Sequence, residues 1–500
     1  MNTVIVWLRH DLRLADNPAL YYAAQQGTVI PVFIEDTTQT EWRPGAASRC
    51  WLHHSLAHLN DALSDQLRFF KGDPLAILLH LVQQTGAQAV HWNRCYTPHA
   101  IPRDSRIKQA LKSTGVEVYS YNGSLLWEPW TISKADGNPY KVFTPYYRKG
   151  CLSAVPPSEP LPRPELQLFS DTLFCDSLPA SKQAPDTVTE LTPLSLNELG
   201  LQPTHYWANK LTEHWNISEE GAWQRLQRFT DERLQDYQRG RDFPSLEATS
   251  TLSPYLQWGQ ISPRQIWYYS QQQGNQPGLE DALDTFMKEL AWREFSYYQL
   301  YHNPKMTEEN LNQRFDRFPW KNQPLQCRDW QQGLTGFPII DAGMRELWQT
   351  GYMHNRVRML VASFLVKNQR QHWRLGATWF WDTLVDADLA SNSASWQWVA
   401  GSGTDAAPYF RIFNPVLQGQ KFDAQGDYIR RYIPELKTLP SRYIHTPWEA
   451  PEQVLKDAGI VLGSTYPHPI LDLKQSRQAA LTAFASLKEQ ANTNELPLAT

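Results

Sequence analysis

The sequence predicts a two-part fold: an N-terminal α/β domain on a doubly wound parallel sheet, joined by a long linker to a C-terminal all-helical domain. Three observations carry this. Short apolar runs alternate with helix-like segments from Thr3 to Tyr121. From Cys151 to Pro203 the pattern gives way to proline-rich stretches such as AVPPSEPLPRPEL and LPASKQAPD, which read as an irregular connector. From Trp207 to about Arg431 helical periodicity dominates and β-branched runs are few.

Each element has a local signal. Thr3–Leu8 is a continuous apolar run, as in a strand buried on both faces. Asn17 and Pro18 supply an N-cap and a proline at the first helical position, and this helix stops near Gly27. Val29–Ile34 is the second strand. Leu52, Leu56, Leu59 and Leu63 mark one face of a helix. Leu67–Phe70 is the third strand, and Asp73 with Pro74 opens a helix ending near Gly86. Ala89–Trp92, a helix ending near Gly115, and Glu117–Tyr121 complete the series. Repeated strand–helix–strand units pair in parallel through right-handed crossovers, hence the doubly wound sheet. The predicted boundaries are 1–135 for the α/β domain, 136–203 for the connector, 204–480 for the helical domain and 481–500 for a polar tail. A helix beginning near Gln475 is expected to fray into that tail.

Composition narrows the functional classes. A chain of 500 residues is too long for one ordinary core. The formal charge is −4 and the pI about 6.4, so any nucleic-acid contact must come from a local basic patch. The 21 tryptophans permit ring stacking or electron transfer, although most should serve packing. Cys50, Cys95, Cys151, Cys175 and Cys327 stand alone without a CxxC pair. Neither a zinc cage nor a disulfide framework is expected. The longest apolar runs, VIVWL and VIPVFI, are too short to span a bilayer, and the N-terminus lacks signal-peptide features. A cytoplasmic monomer without a metal site is the expectation.

Four patterns in the second half bear on chemistry. GSGTDA, Gly401–Ala406, matches a loose phosphate fingerprint but follows no strand, so it reads as a turn. RDFPSLEATSTLSPYLQWG, Arg241–Gly259, gathers Thr249, Ser250, Thr251 and Ser253 ahead of a helix. There they can hold phosphate oxygens or simply cap the helix. MHNRVRM puts Asn355 and Met359 on one helical face, with Arg356 and Arg358 displaced from it. DADLASNSASWQW aligns Asn392 with Trp396. Polar groups of this kind among aromatics suit a flavin ring, and helical surfaces also carry them routinely.

Taken together these segments resemble the photolyase/cryptochrome family over nearly the whole chain, most closely its class I cyclobutane pyrimidine dimer photolyases. The resemblance is carried by VWLRHDLRLADNPAL, GNPYKVFTPYYRK, TSTLSPYLQWGQISPRQ, ELAWREF, TGFPIIDAGMRELWQTGYMHNRVRM and DADLASNSASWQWVAGSGTDAAPYFRIFNPVLQGQKFD. It implies an antenna domain followed by a helical domain holding FAD. Tyr237, Thr249, Ser250, Thr251, Leu252 and Ser253 would line the FAD phosphates. Phe286, Arg293, Arg358, Asp386, Ala387, Asp388 and Asn392 would surround the rings and ribose, with Arg358 paired to Asp386 and Asn392 facing the flavin. Phe286 stands where relatives often carry tryptophan. Trp396, Trp373 and Trp320 would form an electron relay to the surface.

The resemblance also implies a substrate, ultraviolet-damaged DNA, and a reaction, light-driven electron transfer from reduced FAD to an extruded dimer. Glu289, Trp292, Asn355, Met359 and Trp398 would line the lesion pocket, and Arg241, Arg356 and Gln418 would hold nearby phosphates. A cryptochrome photoreceptor is the principal alternative, and a (6-4) photolyase the next. Asn355 and Met359 occupy positions where the latter branch typically has histidines. A second, antenna chromophore is expected in the crevice at the strand C-terminal ends. Folate is disfavoured, because His99, Ala100 and Met306-Thr307 replace the usual anchors; a deazaflavin, another flavin or an empty crevice remain open.

Overall fold

The computed structural model describes residues 2–169, 191–202, 207, 209–405 and 410–494, with side chains described as far as 487. Much of the proline-rich connector, Cys175, Ala406 and the last six residues of the expected tail lie outside the described residues. The chain divides into two compact units. One comprises Met1–Ile132, Cys151–Thr230 and Ser250–Gln276, and the other Ser133–Gly150, Asp231–Thr249 and Pro277–Thr500.

The first unit is built on five parallel strands: β1 (Asn2–Leu8), β2 (Gly27–Asp36), β3 (Arg68–Gly72), β4 (Ala89–Asn93) and β5 (Glu117–Tyr121). Their order is β3-β2-β1-β4-β5, the doubly wound arrangement expected from the sequence. Helices α1 (Pro18–Gln26), α2 (Ala46–Ala62), α3 (Pro74–Thr85) and α4 (Ala100–Ser113) make the crossovers. Asn17 and Asp73 cap α1 and α3 through their side chains, each followed by a proline. Ile5, Trp7, Ile30, Phe70, Leu78 and Val90 lie within one core cluster. Burial on both faces explains why the inner strands β1, β2 and β4 read as nearly unbroken apolar runs.

The segment after Ser250 belongs to this unit despite its helical character. Helix α5 (Pro263–Gly274) carries Arg264, whose guanidinium pairs with buried Asp16 at 2.8 Å. Trp51 donates to Gln260 at 2.9 Å, and Arg13 donates to the Gly259 carbonyl at 2.8 Å. Gly259 has φ +69°, and a Cβ there would lie 2.1 Å from the His10 carbonyl oxygen. Only glycine fits. Helical periodicity identified the local structure, but the compact units do not follow the predicted division at residue 204. Periodicity says nothing about which core an element packs on.

The second unit is helical. Its principal elements are α6 (Glu280–His302), α7 (Pro338–Thr350), α8 (Asn355–Ser363), α9 (Trp373–Thr383), α10 (Leu389–Ala400), α11 (Pro415–Phe422), α12 (Asp427–Tyr432) and α13 (Leu473–Asn494). Gly401, with φ +92°, ends α10 in the left-handed conformation, so Gly401–Asp405 of the glycine motif follow a helix end and no strand, as the context predicted. The start of the predicted polar tail requires correction. Ala480, Ala483 and Leu487 of α13 are buried with Phe315, Phe318 and Phe410, and Phe484 stacks on Phe410 at 4.5 Å. These apolar positions recur at helical spacing, so 481–487 form a docked amphipathic face.

Among the described residues no helix is long and apolar enough to cross a membrane.

Candidate flavin and DNA site

In the second unit, two loops and four helices gather the polar residues that the sequence singled out. The tight connection before α10 places Asp386, Ala387 and Asp388 in a buried position. Asp388 is the N-cap of α10, accepting from the Ser391 amide at 2.7 Å, and its other oxygen accepts from the Tyr297 hydroxyl. Asp386 accepts from Arg358 at 2.8 Å, and the same guanidinium donates to the Met353 carbonyl at 2.7 Å. Burial opposes charge on Arg358, but Asp386 and Tyr352 outweigh it and raise the guanidinium pKa. The Arg293 guanidinium lies 5.0 Å from the Tyr297 ring and reaches Glu294 at 3.2 Å. Asn392, one turn beyond Asp388, is buried and donates to the Ala377 carbonyl of α9 at 3.1 Å. Tyr237 and Phe286 meet edge to face, 5.6 Å apart.

This donor set fits FAD. Two carboxylates, two guanidiniums and an amide within a helical core call for polar partners. A ligand with ribose hydroxyls, ring N–H and carbonyl groups supplies partners of both kinds.

In the first unit, Thr251 adopts φ +50°, and its hydroxyl accepts from Arg225 at 2.6 Å. The short helix that follows, Ser253–Trp258, has Leu252 at its cap position without a side-chain hydrogen bond. Ordinary capping therefore does not account for the hydroxyl cluster, because the cap position falls on a leucine.

A second group of residues surrounds α6 and α8. Arg241 and Glu289 form an ion pair at 2.7 Å, and Arg356 pairs with Asp242 at 2.6 Å. Two expected phosphate ligands are thus held by carboxylates. The Arg356 guanidinium also lies 4.6 Å from the Phe422 ring of α11, the helix that carries Gln418. Trp292 is half-buried and stacks on Phe143, ring centroids 3.7 Å apart and nearly parallel. Asn355 is exposed at the start of α8, and Met359, one turn on, receives a long contact from Arg356 at 3.8 Å. Trp398 is half-buried on α10. His354 caps α8 by accepting from the Arg356 amide at 3.2 Å, a structural task consistent with its buried ring.

The three relay candidates run from buried to half-buried. The Trp396 ring lies against Gly376 of α9, where a Cβ would come within 2.0 Å of it. Trp373 begins α9, is fully buried, and donates to Asn310 at 2.9 Å. Trp320 is half-buried in a loop and donates to the Phe315 carbonyl at 3.1 Å.

Sequence reasoning missed several neighbours. Phe143 lies inside a quoted segment, and Asp242 directly follows Arg241, but only the contacts across the fold distinguish them. Tyr297 is one turn beyond Arg293 on α6, and that spacing was a usable signal.

At the strand ends of the first unit, Arg9 pairs with Asp104 at 2.6 Å, and Arg103 pairs with both Asp36 and Asp104. Both guanidiniums lie over Trp7, at 4.3 and 5.0 Å. The crevice expected to hold an antenna chromophore is thus lined by side chains paired with one another. Met306 and Thr307 are buried.

Comparison with known proteins identifies the family. A family model described as DNA photolyase matches residues 4–165, and one described as the FAD binding domain of DNA photolyase matches 286–486. A deoxyribodipyrimidine photo-lyase of Agrobacterium fabrum is 46% identical, covering 97% of this chain and 98% of the relative. Cryptochrome-2 of Arabidopsis thaliana is 38% identical, covering 97% and 79% respectively. The crystal structure of a bacterial class III photolyase from Agrobacterium tumefaciens superposes with a TM-score of 0.89 at 45% identity, covering 98% of each chain. That similarity, to a class III photolyase, gives no support to the class I expectation. This chain belongs to the DNA photolyase and cryptochrome family and takes FAD as its cofactor.

Proposed function

We propose that the protein repairs cyclobutane pyrimidine dimers in ultraviolet-damaged DNA under illumination, as a photolyase of the class III kind. The observation that carries this reading is the grouping of Glu289, Arg241, Trp292, Asn355 and Met359 around the start of α8 and the middle of α6. In that grouping a charged hydrogen-bonding pair stands beside an aromatic face. The 46% identity to a curated photo-lyase over nearly the full length supports it.

Bound FAD supplies light absorption and one-electron chemistry. The chain's own residues do the rest. Arg358, Asp386, Asp388, Arg293 and Asn392 hold the cofactor in the helical unit, with Tyr237 and Thr249 of the same unit assigned to its phosphates. Glu289, on leaving Arg241, accepts a hydrogen bond from a thymine imide N–H. Arg241 then turns to a DNA phosphate, joined by Arg356 and Gln418. Trp292, backed on one face by Phe143, offers its other face to the extruded dimer, and Trp398 completes the apolar wall. Trp396, Trp373 and Trp320 carry electrons inward when oxidised flavin must be reduced. A strained, poorly stacked dimer is cheaper to extrude than intact bases.

Product analysis with oligonucleotides carrying either a cyclobutane dimer or a (6-4) lesion tests the reading. Light-dependent loss of the cyclobutane dimer alone supports it, and conversion of the (6-4) lesion instead would overturn it. The similarity to Arabidopsis cryptochrome favours one second reading, a blue-light photoreceptor. Photoreduction without repair of either lesion would favour it.

A further inference from the structure

His372 occupies a position that the relay reading leaves unexplained. It is the N-cap of α9, where its Nδ1 accepts from the Arg374 amide at 3.2 Å. His354 caps α8 in the same way, so the cap by itself assigns His372 no further role. The ring has a second relation. Its centroid lies 5.6 Å from the Trp373 ring, inclined at 30°, and 5.2 Å from the Trp320 ring, inclined at 64°. Two bonds hold the loops together: Lys321 N–H donates to the Arg370 carbonyl at 2.9 Å, and Gln323 N–H donates to Gln371 Oε1 at 2.8 Å. The imidazole therefore touches both the fully buried indole and the half-buried one.

We propose that His372 is the bridge through which an electron passes from Trp320 to Trp373, a positioning residue for the outer step of photoreduction. The inference rests on the relay reading of Trp396, Trp373 and Trp320. Bound FAD would supply the light-excited oxidant; Trp396 would lose an electron first and be refilled from Trp373, leaving the vacancy on Trp373. One electron then leaves Trp320, crosses the imidazole and fills that vacancy. Trp320 remains as a cation radical, which a thiol reductant in solution restores. Imidazole is harder to oxidise than indole, so it passes the electron without holding the vacancy, and no bond forms or breaks.

The bridge works as the neutral ring. A protonated imidazole beside either indole would repel the positive vacancy. Burial first and the Arg374 charge second pull the His372 pKa from 6.5 down to about 4, against the opposing charge of Asp316. The ring is thus uncharged across the physiological range.

Two substitutions separate the bridge from the cap. His372→Asn keeps a capping side chain and removes the ring, whereas His372→Phe keeps a ring and removes the cap. In flash photolysis of flavin-loaded protein, His372→Asn is expected to lose the long-lived Trp320 radical signal, and His372→Phe to keep it. Retention of the signal in His372→Asn, or equal loss in both variants, would overturn the proposal. Trp320→Phe tests the underlying relay: if it leaves photoreduction unchanged, the relay reading fails whatever His372 does. A readout independent of light is the titration of His372 followed by NMR of histidine-labelled protein. A midpoint well below the ordinary value of 6.5 is expected. Photoreduction should be flat between about pH 5.5 and 8, and a step in that range tracking His372 would also contradict the neutral bridge.

Discussion

Replacing Glu346 with glutamine should stabilise the protein at alkaline pH and not at acid pH. Glu346 is buried on α7, and its Oε2 accepts both from the Tyr428 hydroxyl of α12 at 2.5 Å and from the His354 amide at 3.2 Å. It thereby fixes the start of α8, the helix that carries Asn355, Arg356, Arg358 and Met359. Burial raises its pKa from 4.5 to about 7, despite the opposing hydrogen bonds from Tyr428 and His354 and the nearby Arg358 and Arg431. A raised carboxyl pKa means that the folded state holds a proton the unfolded chain has released. Stability therefore falls as pH rises from about 4.5 to 7 and levels off above. The full shift corresponds to about 3 kcal/mol, most of it expressed between pH 5 and 8. Glutamine keeps an oxygen for both donors and cannot ionise. Relative to wild type, E346Q should gain about 2 to 3 kcal/mol between pH 5 and pH 8. Urea unfolding of the flavin-loaded proteins at both pH values measures this. An offset between the two proteins that is identical at both pH values would refute the reasoning.

Three further outcomes follow from the packing. Gly376→Ala drives a methyl into the Trp396 ring and should cost about 1 to 3 kcal/mol, read as a lower thermal midpoint. Asp386→Ala leaves the Arg358 guanidinium without its carboxylate; such losses cost about 3 to 5 kcal/mol, and the purified protein should carry much less flavin by absorbance. Phe484→Ala removes a ring stacked on Phe410 and should destabilise the protein by about 2 kcal/mol, detectable as earlier exchange of α13 amides. A Phe484→Ala protein with wild-type stability would mean that α13 docks through other contacts.

The α/β half was legible because its three inner strands, β1, β2 and β4, are buried on both faces and read as compact apolar runs, while capped helices punctuate the series. Asn17-Pro18 and Asp73-Pro74 marked helix starts that the structure repeats. What could not be read was allegiance. The helical segment Ser250–Gln276 belongs with the sheet through Arg264–Asp16, Arg13–Gly259 and Trp51–Gln260, contacts between residues more than two hundred positions apart. The site divided in the same way. Arg358–Asp386 was expected only through the family resemblance, and the ion pair stands at 2.8 Å. Asp242 and Phe143 were not, because an exposed-looking carboxylate beside an arginine and a phenylalanine among tyrosines carry no local signal. His372 escaped notice for a related reason: only its distance to two indoles, one from a distant loop, distinguishes it from any other cap.

The most direct test of the account is a turnover count in light and in darkness. The reduced, flavin-loaded protein is mixed with an excess of oligonucleotide carrying a cyclobutane thymine dimer, and restored thymines are counted. Several dimers split per protein under blue light and none in the dark is the predicted result. Tight binding of the damaged strand and full flavin occupancy, with no dimer split under illumination, would contradict it.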